Sequence, residues 1–258
     1  MIELSNITYP PKNPVLKEIS LNFNEGEITG IIGRAGSGKS TLLSLLSLDE
    51  KIPDGIKKMI RFKNEPASAL SRKETAGLVM RADTMPENMD ELLGNFLLLS
   101  RIPHKKFLDP FKEYDFNIVN SFMERFALAP FREYALNRLT AGFFKRTLLA
   151  FSFIREAKIM LFDNPTGGLD LHGTKILYKE MVKSVMDGRR SIIIASHDIN
   201  FIAETADRII ILDDGKIAED ILPDKLNTQI LKKHLEVETI ISKNMYNGRP
   251  IVHLFPGS

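Results

Sequence analysis

Residues 33–41 read Gly-Arg-Ala-Gly-Ser-Gly-Lys-Ser-Thr, a complete Gly-x-x-x-x-Gly-Lys-Ser pattern. In this pattern the glycines let successive backbone N–H groups surround phosphate oxygens, the lysine adds a point charge, and the serine hydroxyl binds Mg²⁺. Residues 28–32 predict a strand before the loop, and residues 41–48 predict a helix after it. The arrangement predicts a site for a nucleoside triphosphate; a tight glycine-rich turn without a ligand is the alternative. The residues assigned to the nucleotide are Gly33, Arg34, Ala35, Gly36, Ser37, Gly38, Lys39, Ser40 and Thr41.

The composition is typical of one large α/β domain. The chain has 258 residues, of which 43% are hydrophobic and 26% charged. Its 35 basic and 33 acidic residues give a net charge of +2, which is too balanced to indicate binding of nucleic acid or of a membrane by charge alone. The absence of cysteine excludes disulfides and thiolate metal sites and favours a reducing compartment. We expect neither a signal peptide nor a spanning helix, because no apolar stretch approaches ~20 residues.

Hydrophobic periodicity predicts the order of the elements. Strands at 2–8, 19–24 and 28–32 indicate an antiparallel start, and helical spacing at 116–126 and 140–153 predicts a helical insertion in the middle of the chain. The remainder alternates between strand and helix, which implies a parallel sheet with crossover helices. The other predicted strands are 59–62, 77–80, 158–162, 191–195 and 209–212, and the later helices are 171–186 and 201–205.

The segment 86–115 is less regular, with Pro86, Pro103 and Pro110 breaking the pattern. It carries a group of four basic residues, which we expect to form a solvated surface. It also carries four apolar residues at helical spacing, for which two interpretations stay open: a groove for a partner, or simple core packing. The basic residues are Arg101, His104, Lys105 and Lys106, and the apolar residues are Leu92, Leu93, Phe96 and Leu97.

A second informative segment is residues 159–163, Ile-Met-Leu-Phe-Asp. A strand buried on both faces would carry Asp163 to the carboxyl edge of a parallel sheet, where it could hold Mg²⁺ together with Ser40. Four apolar residues and an acid also occur in ordinary core strands. The residues that follow are more specific: 164–170 read Asn-Pro-Thr-Gly-Gly-Leu-Asp, and 196–198 read Ser-His-Asp after the next predicted strand. They resemble the D-loop and the switch histidine of ABC-transporter ATPases.

The resemblance extends along nearly the whole chain. Tyr9 lies where that family stacks an aromatic ring on adenine, although a half-buried core aromatic is the alternative. Residues 139–146, Leu-Thr-Ala-Gly-Phe-Phe-Lys-Arg, occupy the place of the family signature Leu-Ser-Gly-Gly-Gln-x-Gln-Arg before a helix. In the family this helix start faces the γ-phosphate held by the opposite subunit. Here the signature residues would be Thr140, Ala141 and Gly142, with Ala141 and Phe143 as departures.

The resemblance implies a fold and a domain organisation. It implies an α/β P-loop NTPase of the ABC ATPase type, with a mixed sheet core, an antiparallel β subdomain and a helical insertion. Residues 1–258 would form one domain, with a helical subdomain at about 86–155 and a C-terminal extension at about 222–258 that adds a helix and a strand. The implied cofactors are ATP and Mg²⁺, with Ser40 and Asp163 as the residues that hold the metal.

Two catalytic positions depart from the family pattern. The family has a glutamate after the strand-end aspartate, where it activates the attacking water, but this chain has Asn164. An amide cannot take up that proton, and general-base assistance is worth about 10²–10⁴ in rate, so we expect slow hydrolysis. Arg81 stands where the family has a glutamine that contacts Mg²⁺; a guanidinium repels a divalent cation but can approach a phosphate. The alternative is a register shifted by one or two residues, with Asp83 or a water in that role. His197 remains as a γ-phosphate contact, with a buried core histidine as its alternative.

Family members work as head-to-tail dimers attached to membrane permeases, so the resemblance also implies partners. A homodimer would combine Asn164 with the altered signature at both sites, whereas a heterodimer with a consensus ATPase would leave one site with a normal base. Transmembrane permease subunits and a peripheral position on the cytoplasmic face of the membrane are implied, and no nucleic acid. Two functions stay open: a transport ATPase with weak hydrolysis, or a nucleotide-gated regulatory module with little or no turnover.

A finer resemblance is to the ATPases of bacterial importers for siderophores, haem and cobalamin. Three stretches carry it: residues 70–76 before the Arg81 strand, Arg-Ile-Pro-His at 101–104, and Asn-Gly-Arg-Pro-Ile-Val at 247–252. None of these stretches is a chemical motif. The resemblance therefore implies import of an iron chelate or a similar metal complex by analogy alone.

Overall fold

The computed structural model describes residues 2–48, 52–82, 86–106, 109–188 and 190–255. Its strands are β1 (Ile2–Tyr9), β2 (Leu16–Phe23), β3 (Ile28–Ile32), β4 (Ile60–Phe62), β5 (Glu65–Pro66), β6 (Val79–Arg81), β7 (Ile159–Asp163), β8 (Ser191–Ala195), β9 (Arg208–Asp213), β10 (Lys216–Ile221), β11 (Thr239–Lys243) and β12 (Pro250–Leu254). Its α-helices are α1 (Lys39–Leu46), α2 (Asp54–Lys57), α3 (Arg72–Leu78), α4 (Leu93–Leu99), α5 (Glu113–Arg125), α6 (Ala141–Ile154), α7 (Leu171–Gly188), α8 (Ile199–Thr205) and α9 (Thr228–Leu235).

The central sheet has the strand order β10-β9-β3-β8-β7-β6. The strands from β9 to β6 run parallel to one another, and β10 pairs antiparallel with β9. Every residue of β3 and β8 is buried, as expected for parallel strands that are covered on both faces. The parallel arrangement brings the carboxyl ends of β3, β8, β7 and β6 to one edge.

Two hydrophobic cores lie on opposite faces of this sheet. Because strand side chains alternate, Ile192 and Ile194 of β8 join one core while Ile193 joins the other. The Ile193 core also contains the buried side of α1 and the antiparallel sheet β2-β1-β4-β5. Helices α4 to α8 supply the opposite core. The predicted fold class, a mixed sheet with an antiparallel part and packed helices, is confirmed.

Helices α4, α5 and α6 follow β6 and precede β7 in the sequence, and they pack against one another. Leu93, Phe96 and Leu97 of α4 are buried in the core, and the Phe96 ring stacks on Phe151 of α6 at 4.7 Å between ring centroids. Core packing is therefore the correct interpretation of these apolar residues, and the groove interpretation is wrong for them. Leu92 is half-buried at the start of α4.

Two further expectations were wrong. Residues 77–78 were predicted to open a strand, but they end α3, and the strand begins at Val79. A capping box between Ser71 and Glu74 begins α3, and the Ser-x-x-Glu spacing was a signal in the sequence. Arg101, expected on a solvated surface, is buried by α5 and the segment after α6, and two carboxylates, one of them Asp115, pair with its charge.

The C-terminal part consists of α9 and a two-stranded sheet of β11 and β12, so it has one strand more than the helix and strand expected for this extension. The amide of Asn200 on α8 makes two hydrogen bonds with the Val252 backbone, at 2.9 and 2.7 Å, which tie this sheet to the helical face of the core. Within the described part of the chain, we find no helix with the length and apolar character needed to cross a membrane.

Candidate functional site

The glycine loop joins β3 to α1 and is folded around the ammonium group of Lys39. The Lys39 Nζ atom donates hydrogen bonds to the backbone oxygens of Gly33 and Arg34, at 2.7 and 2.8 Å. Burial lowers the pKa of Lys39, and the nearby charge of Asp163 opposes that shift. The loop thus holds a cation at the point where the sequence places the phosphates.

Gly38 shows why the loop needs glycine. Its φ angle is +105°, and an added Cβ would come within 2.8 Å of the Leu16 side chain. Leu16 is the first residue of β2, so the start of this strand packs directly against the loop. Tyr9 lies at the end of β1 opposite Leu16 and is half-buried against the hydrophobic core that contains Ile193. The aromatic residue predicted for adenine is therefore on the hairpin that borders the phosphate loop, and its burial is also compatible with a core role.

The ends of β7 and β8 bring three predicted residues to the same edge. Asp163 lies opposite Ala195, and the N–H of Asn164 donates to the Ala195 oxygen at 2.7 Å. His197 follows two residues after Ala195 and is exposed. The interpretation of His197 as a buried core histidine is wrong, because the chain leaves the sheet before reaching it.

Asn164 opens the turn that leads away from β7. Its φ angle is +44°, a left-handed conformation that asparagine tolerates better than most residues. The Asn164 oxygen accepts a hydrogen bond from the Gly167 N–H at 3.2 Å, and its side-chain amide lies so close that a Cβ on Gly167 would come within 2.7 Å of Nδ2. Asn164 itself is exposed at the sheet edge. Backbone geometry and the short amide side chain thus suit each other at this position.

Arg81, the last residue of β6, points its guanidinium at the same edge. Its NH2 atom lies 3.5 Å from Oδ2 of Asp163, and its NH1 atom donates to the Ser44 hydroxyl on α1. The two charged side chains are 23% and 21% exposed, so this pair is half-buried. Asp83, the alternative under a shifted register, lies outside the described residues.

Ser40 and Asp163 offer the oxygen atoms that Mg²⁺ prefers, a hydroxyl and a carboxylate. Ser40 is exposed on the first turn of α1. Across the described ranges, no group of three or more His, Cys, Asp or Glu side chains could hold a metal, and Mg²⁺ in nucleotide sites commonly uses few protein ligands plus phosphates. The donor set fits Mg²⁺, with the Arg81 guanidinium as a competing positive charge.

The predicted signature residues lie on a separate surface at the start of α6. Thr140 is the N-cap residue of α6, and it and Ala141 are exposed. A Cβ on Gly142 would lie 3.5 Å from the Gly168 oxygen, so this helix start borders the turn after β7. Sequence reasoning assigned these residues to the opposite nucleotide, which a single chain leaves as a prediction.

An ion pair fixes α6 to the segment that follows Asn164. Arg146 on α6 contacts Asp170 at 2.6 Å. A hydrogen bond from the Gly173 backbone N–H, followed by the Arg146 contact, lowers the pKa of Asp170. The two segments that resemble the signature and the D-loop are thus held together in one chain.

Sequence reasoning missed a charged cluster beside the loop. Arg34 contacts Glu236 after α9 and lies 3.3 Å from Asp213, while the buried His234 contacts Asp213 at 3.0 Å. The hydrogen bond from His234 and the charge of Arg34 lower the pKa of Asp213. Residues 209–213 read Ile-Ile-Ile-Leu-Asp, the same pattern of four apolar residues and an acid that marked Asp163, so a signal was present. Nothing local identified His234 or Glu236.

Comparison with known proteins identifies related sequences. The family model described as "ABC transporter" matches residues 16–167. Arginine transport ATP-binding protein ArtM of Bacillus subtilis is 32% identical over 220 residues, covering 81% of this chain and 85% of that protein. Phosphonates import ATP-binding protein PhnC of Treponema denticola is 27% identical over 253 residues, covering 94% of this chain and 96% of that protein. Some relatives are longer: the chain spans 38% of one from Bacillus cereus, at 28% identity over 85% of this chain.

Solved structures share the fold. One is described as "an inward-facing conformation of a putative metal-chelate type ABC transporter"; its TM-score is 0.78 at 18% identity, covering 100% of this chain and 97% of that one. Another is a dimeric ATP-binding cassette, MJ0796, bound to ADP and Pi, with a TM-score of 0.72 at 23% identity, covering 86% of this chain and 98% of that one. At these identities the likeness concerns the fold.

Proposed function

This chain belongs to the ABC transporter family, and from that premise we propose that it is an importer's ATP-binding subunit whose own hydrolysis of ATP is slow. The observation that carries the proposal is the position of Asn164. It directly follows Asp163 at the sheet edge, beside an intact phosphate loop and an exposed His197. ATP binding is expected to be retained, while the proton acceptor for the attacking water is replaced by an amide.

The residues of the edge divide the work of binding. Lys39 and the backbone N–H groups of the loop would hold the phosphates, and Ser40 with Asp163 would hold the metal. Mg²⁺, when bound, neutralises charge on the β- and γ-phosphate oxygens. His197 can donate a hydrogen bond to a phosphate oxygen. Asn164 can orient a water through its carbonyl oxygen, but it cannot remove the proton of that water.

The rest of the proposal concerns partners. We propose that two such subunits close on two nucleotides, each phosphate loop meeting the Thr140 helix start of the other subunit. The exposure of Thr140 and Ala141 supports this, as does the dimeric cassette of the same fold. A homodimer would place Asn164 at both sites, and pairing with a consensus ATPase would restore one active site. Attachment to a transmembrane permease on the cytoplasmic face completes the proposal.

For the cargo we propose an iron chelate or a similar metal complex. The three sequence stretches at 70–76, 101–104 and 247–252 support it, and so does the description of one structural neighbour as a metal-chelate type transporter. ArtM and PhnC, which are more similar in sequence to this chain than that structural neighbour is, are named for arginine and phosphonates. The cargo is therefore proposed separately from the ATPase function.

The test is phosphate release from ATP by the purified chain and by Asn164→Glu. We expect slow release by the unaltered chain and a rise of about 10²-fold or more in the variant, because a carboxylate then stands at the water position. A glutamate at φ +44° costs about 1 kcal/mol, so thermal unfolding is measured alongside. Asn164→Asp, which tolerates this backbone, offers a shorter carboxylate and should give a smaller rise.

Asn117→Glu is the matched control, since it adds the same side chain on the exposed surface of α5. Fast hydrolysis by the unaltered chain, which Asn164→Glu does not raise further, would contradict the slow-hydrolysis proposal. ATP binding with equally slow hydrolysis by the unaltered chain and by Asn164→Glu would favour the second function, a nucleotide-gated module without turnover. Two observations favour that function: the amide of Asn164 at the position of the water-activating group, and the Arg81 guanidinium beside Asp163.

A further inference from the structure

Arg81 and Asp163 are brought together by the sheet. Strands β6 and β7 are parallel neighbours in which Arg81 lies opposite Leu161, two residues before Asp163. Both side chains therefore reach the carboxyl edge, where NH2 and Oδ2 are 3.5 Å apart. With about a fifth of each side chain exposed, solvent screens this pair less than a surface pair.

The second contact of Arg81 fixes where its charge lies relative to the metal position. Its NH1 atom donates to the hydroxyl of Ser44 on α1. Ser44 is four residues after Ser40, and residues at this spacing lie on the same face of a helix, one turn apart. The guanidinium is thus held against the Asp163 carboxylate and against a hydroxyl one helical turn along α1 from Ser40; Asp163 and Ser40 are the two residues that would hold Mg²⁺.

A guanidinium in that place changes what the site demands of a metal. As an arginine side chain it brings a positive charge and five N–H donors to the site. A divalent cation that binds Asp163 must share the carboxylate with this charge and is repelled by it. A triphosphate is attracted by the same charge, because arginine donates well to phosphate oxygens. Arg81 therefore weakens the binding of a divalent metal ion and strengthens the binding of the nucleotide.

We propose that Arg81 supplies part of the positive charge that Mg²⁺ would otherwise bring, so that this chain binds ATP with little dependence on Mg²⁺. The inference rests on the proposed function, because it concerns the same nucleotide site. Lys39 is a second cation on the edge, buried beneath the loop. Asn164, which follows Asp163, is neutral, so it does not offset the repulsion between Arg81 and a metal ion as a carboxylate would.

The test is the affinity for ATP, measured calorimetrically with Mg²⁺ and again with EDTA. For the unaltered chain we expect less than about a threefold difference in Kd between the two conditions. For Arg81→Gln we expect EDTA to weaken binding by about tenfold or more, since a charge-assisted contact of this kind corresponds to that change. Arg81→Lys keeps the charge and should stay close to the unaltered chain.

Arg61→Gln is the matched control, because it makes the same change on the exposed surface of β4, in the other sheet. If EDTA weakens ATP binding of the unaltered chain by about 100-fold, the inference is overturned whether or not Arg81→Gln folds, while the proposed function stands. An equal response of Arg81→Gln and the unaltered chain to EDTA also overturns it. Failure of the unaltered chain to bind ATP in both conditions instead overturns the proposed function itself.

Discussion

Arg81–Asp163 at the sheet edge and Arg101–Asp115 among the helices are both arginine–aspartate pairs, with separations of 3.5 and 3.3 Å. Their surroundings differ. Side chains of the first pair are 23% and 21% exposed, whereas those of the second are 4% and 7% exposed. Asn164 directly follows Asp163, His197 follows the neighbouring strand β8, and Ser40 lies on the first turn of α1; all three are exposed. The second pair is enclosed by protein.

The enclosed pair has its hydrogen-bonding groups occupied by the chain itself. Asp115 also contacts Lys105 at 2.8 Å and accepts from the Lys112 N–H at 2.9 Å, while Arg101 contacts Glu156 at 2.6 Å and donates to the Ile154 oxygen at 2.9 Å. Burial alone would raise the pKa of Asp115, but the hydrogen bonds from Lys105, Lys112 and Arg101 lower it to about 2. A buried pair with these additional partners serves stability, whereas a pair that reaches solvent beside a phosphate loop is suited to a ligand.

The largest expected effect is on the enclosed pair. Asp115→Ala leaves Arg101 and Lys105 without one of their partners in a buried place, which we expect to reduce the free energy of unfolding by about 3–5 kcal/mol. Urea unfolding without nucleotide measures it, with the exposed Asp187→Ala on α7 as control. The contrast between the two pairs breaks down if the folded fraction of Asp115→Ala binds ATP much more weakly than the unaltered chain.

Lowering the pH should remove the contribution of the Asp115 carboxylate to stability. Its pKa of about 2 in the folded chain lies below the ordinary 3.8, so its contribution is complete above about pH 4 and is lost as the pH falls through about 2. The contribution is about 2 kcal/mol. We expect the stability difference between the unaltered chain and Asp115→Asn to narrow by about 1–2 kcal/mol between pH 5 and pH 2.5. A difference that stays constant with pH would show that the carboxylate charge is not the cause.

The smallest effect should come from the pair at the sheet edge. Asp163→Asn removes the charge that faces Arg81. Because both side chains are about a fifth exposed and their charged atoms are 3.5 Å apart, we expect the free energy of unfolding to change by about 1 kcal/mol, clearly less than for Asp115→Ala. Urea unfolding without nucleotide is again the measurement, read beside Asp115→Ala. A loss as large as that of Asp115→Ala would mean that the sheet-edge pair is structural and would remove the contrast.

Much of the fold was predictable because its signals are local. The glycine loop, the apolar run into Asp163 and the alternation of strands and helices after residue 155 each depend on residues within about one element of one another. Strand 191–195 was predicted with its observed bounds, and the predicted elements 158–162, 171–186, 201–205 and 209–212 agree to within two residues at each end, whereas β10 was not predicted. The shift at 77–80 came from a helix start at Ser71 that was not recognised.

The pairings across the chain were not predictable in the same way. Arg101 is part of a basic group whose local pattern is typical of a surface, and only the approach of α5 and of the segment after α6 buries it. Likewise, residues 81 and 163 are 82 positions apart, and no local pattern states that their side chains meet. The role given to each site residue remains a prediction, while their common place at one sheet edge is a geometric fact of the fold.

The sequence by itself determined that the chain carries a phosphate loop and that an amide follows the strand-end aspartate, because both are statements about neighbouring residues. Only the tertiary structure decided which charges face one another: Arg81 with Asp163, Arg101 with Asp115, and Arg34 with Asp213 and the residue after α9. The physical reason is that charge interactions depend on distance and burial, and the packing of strands and helices sets both.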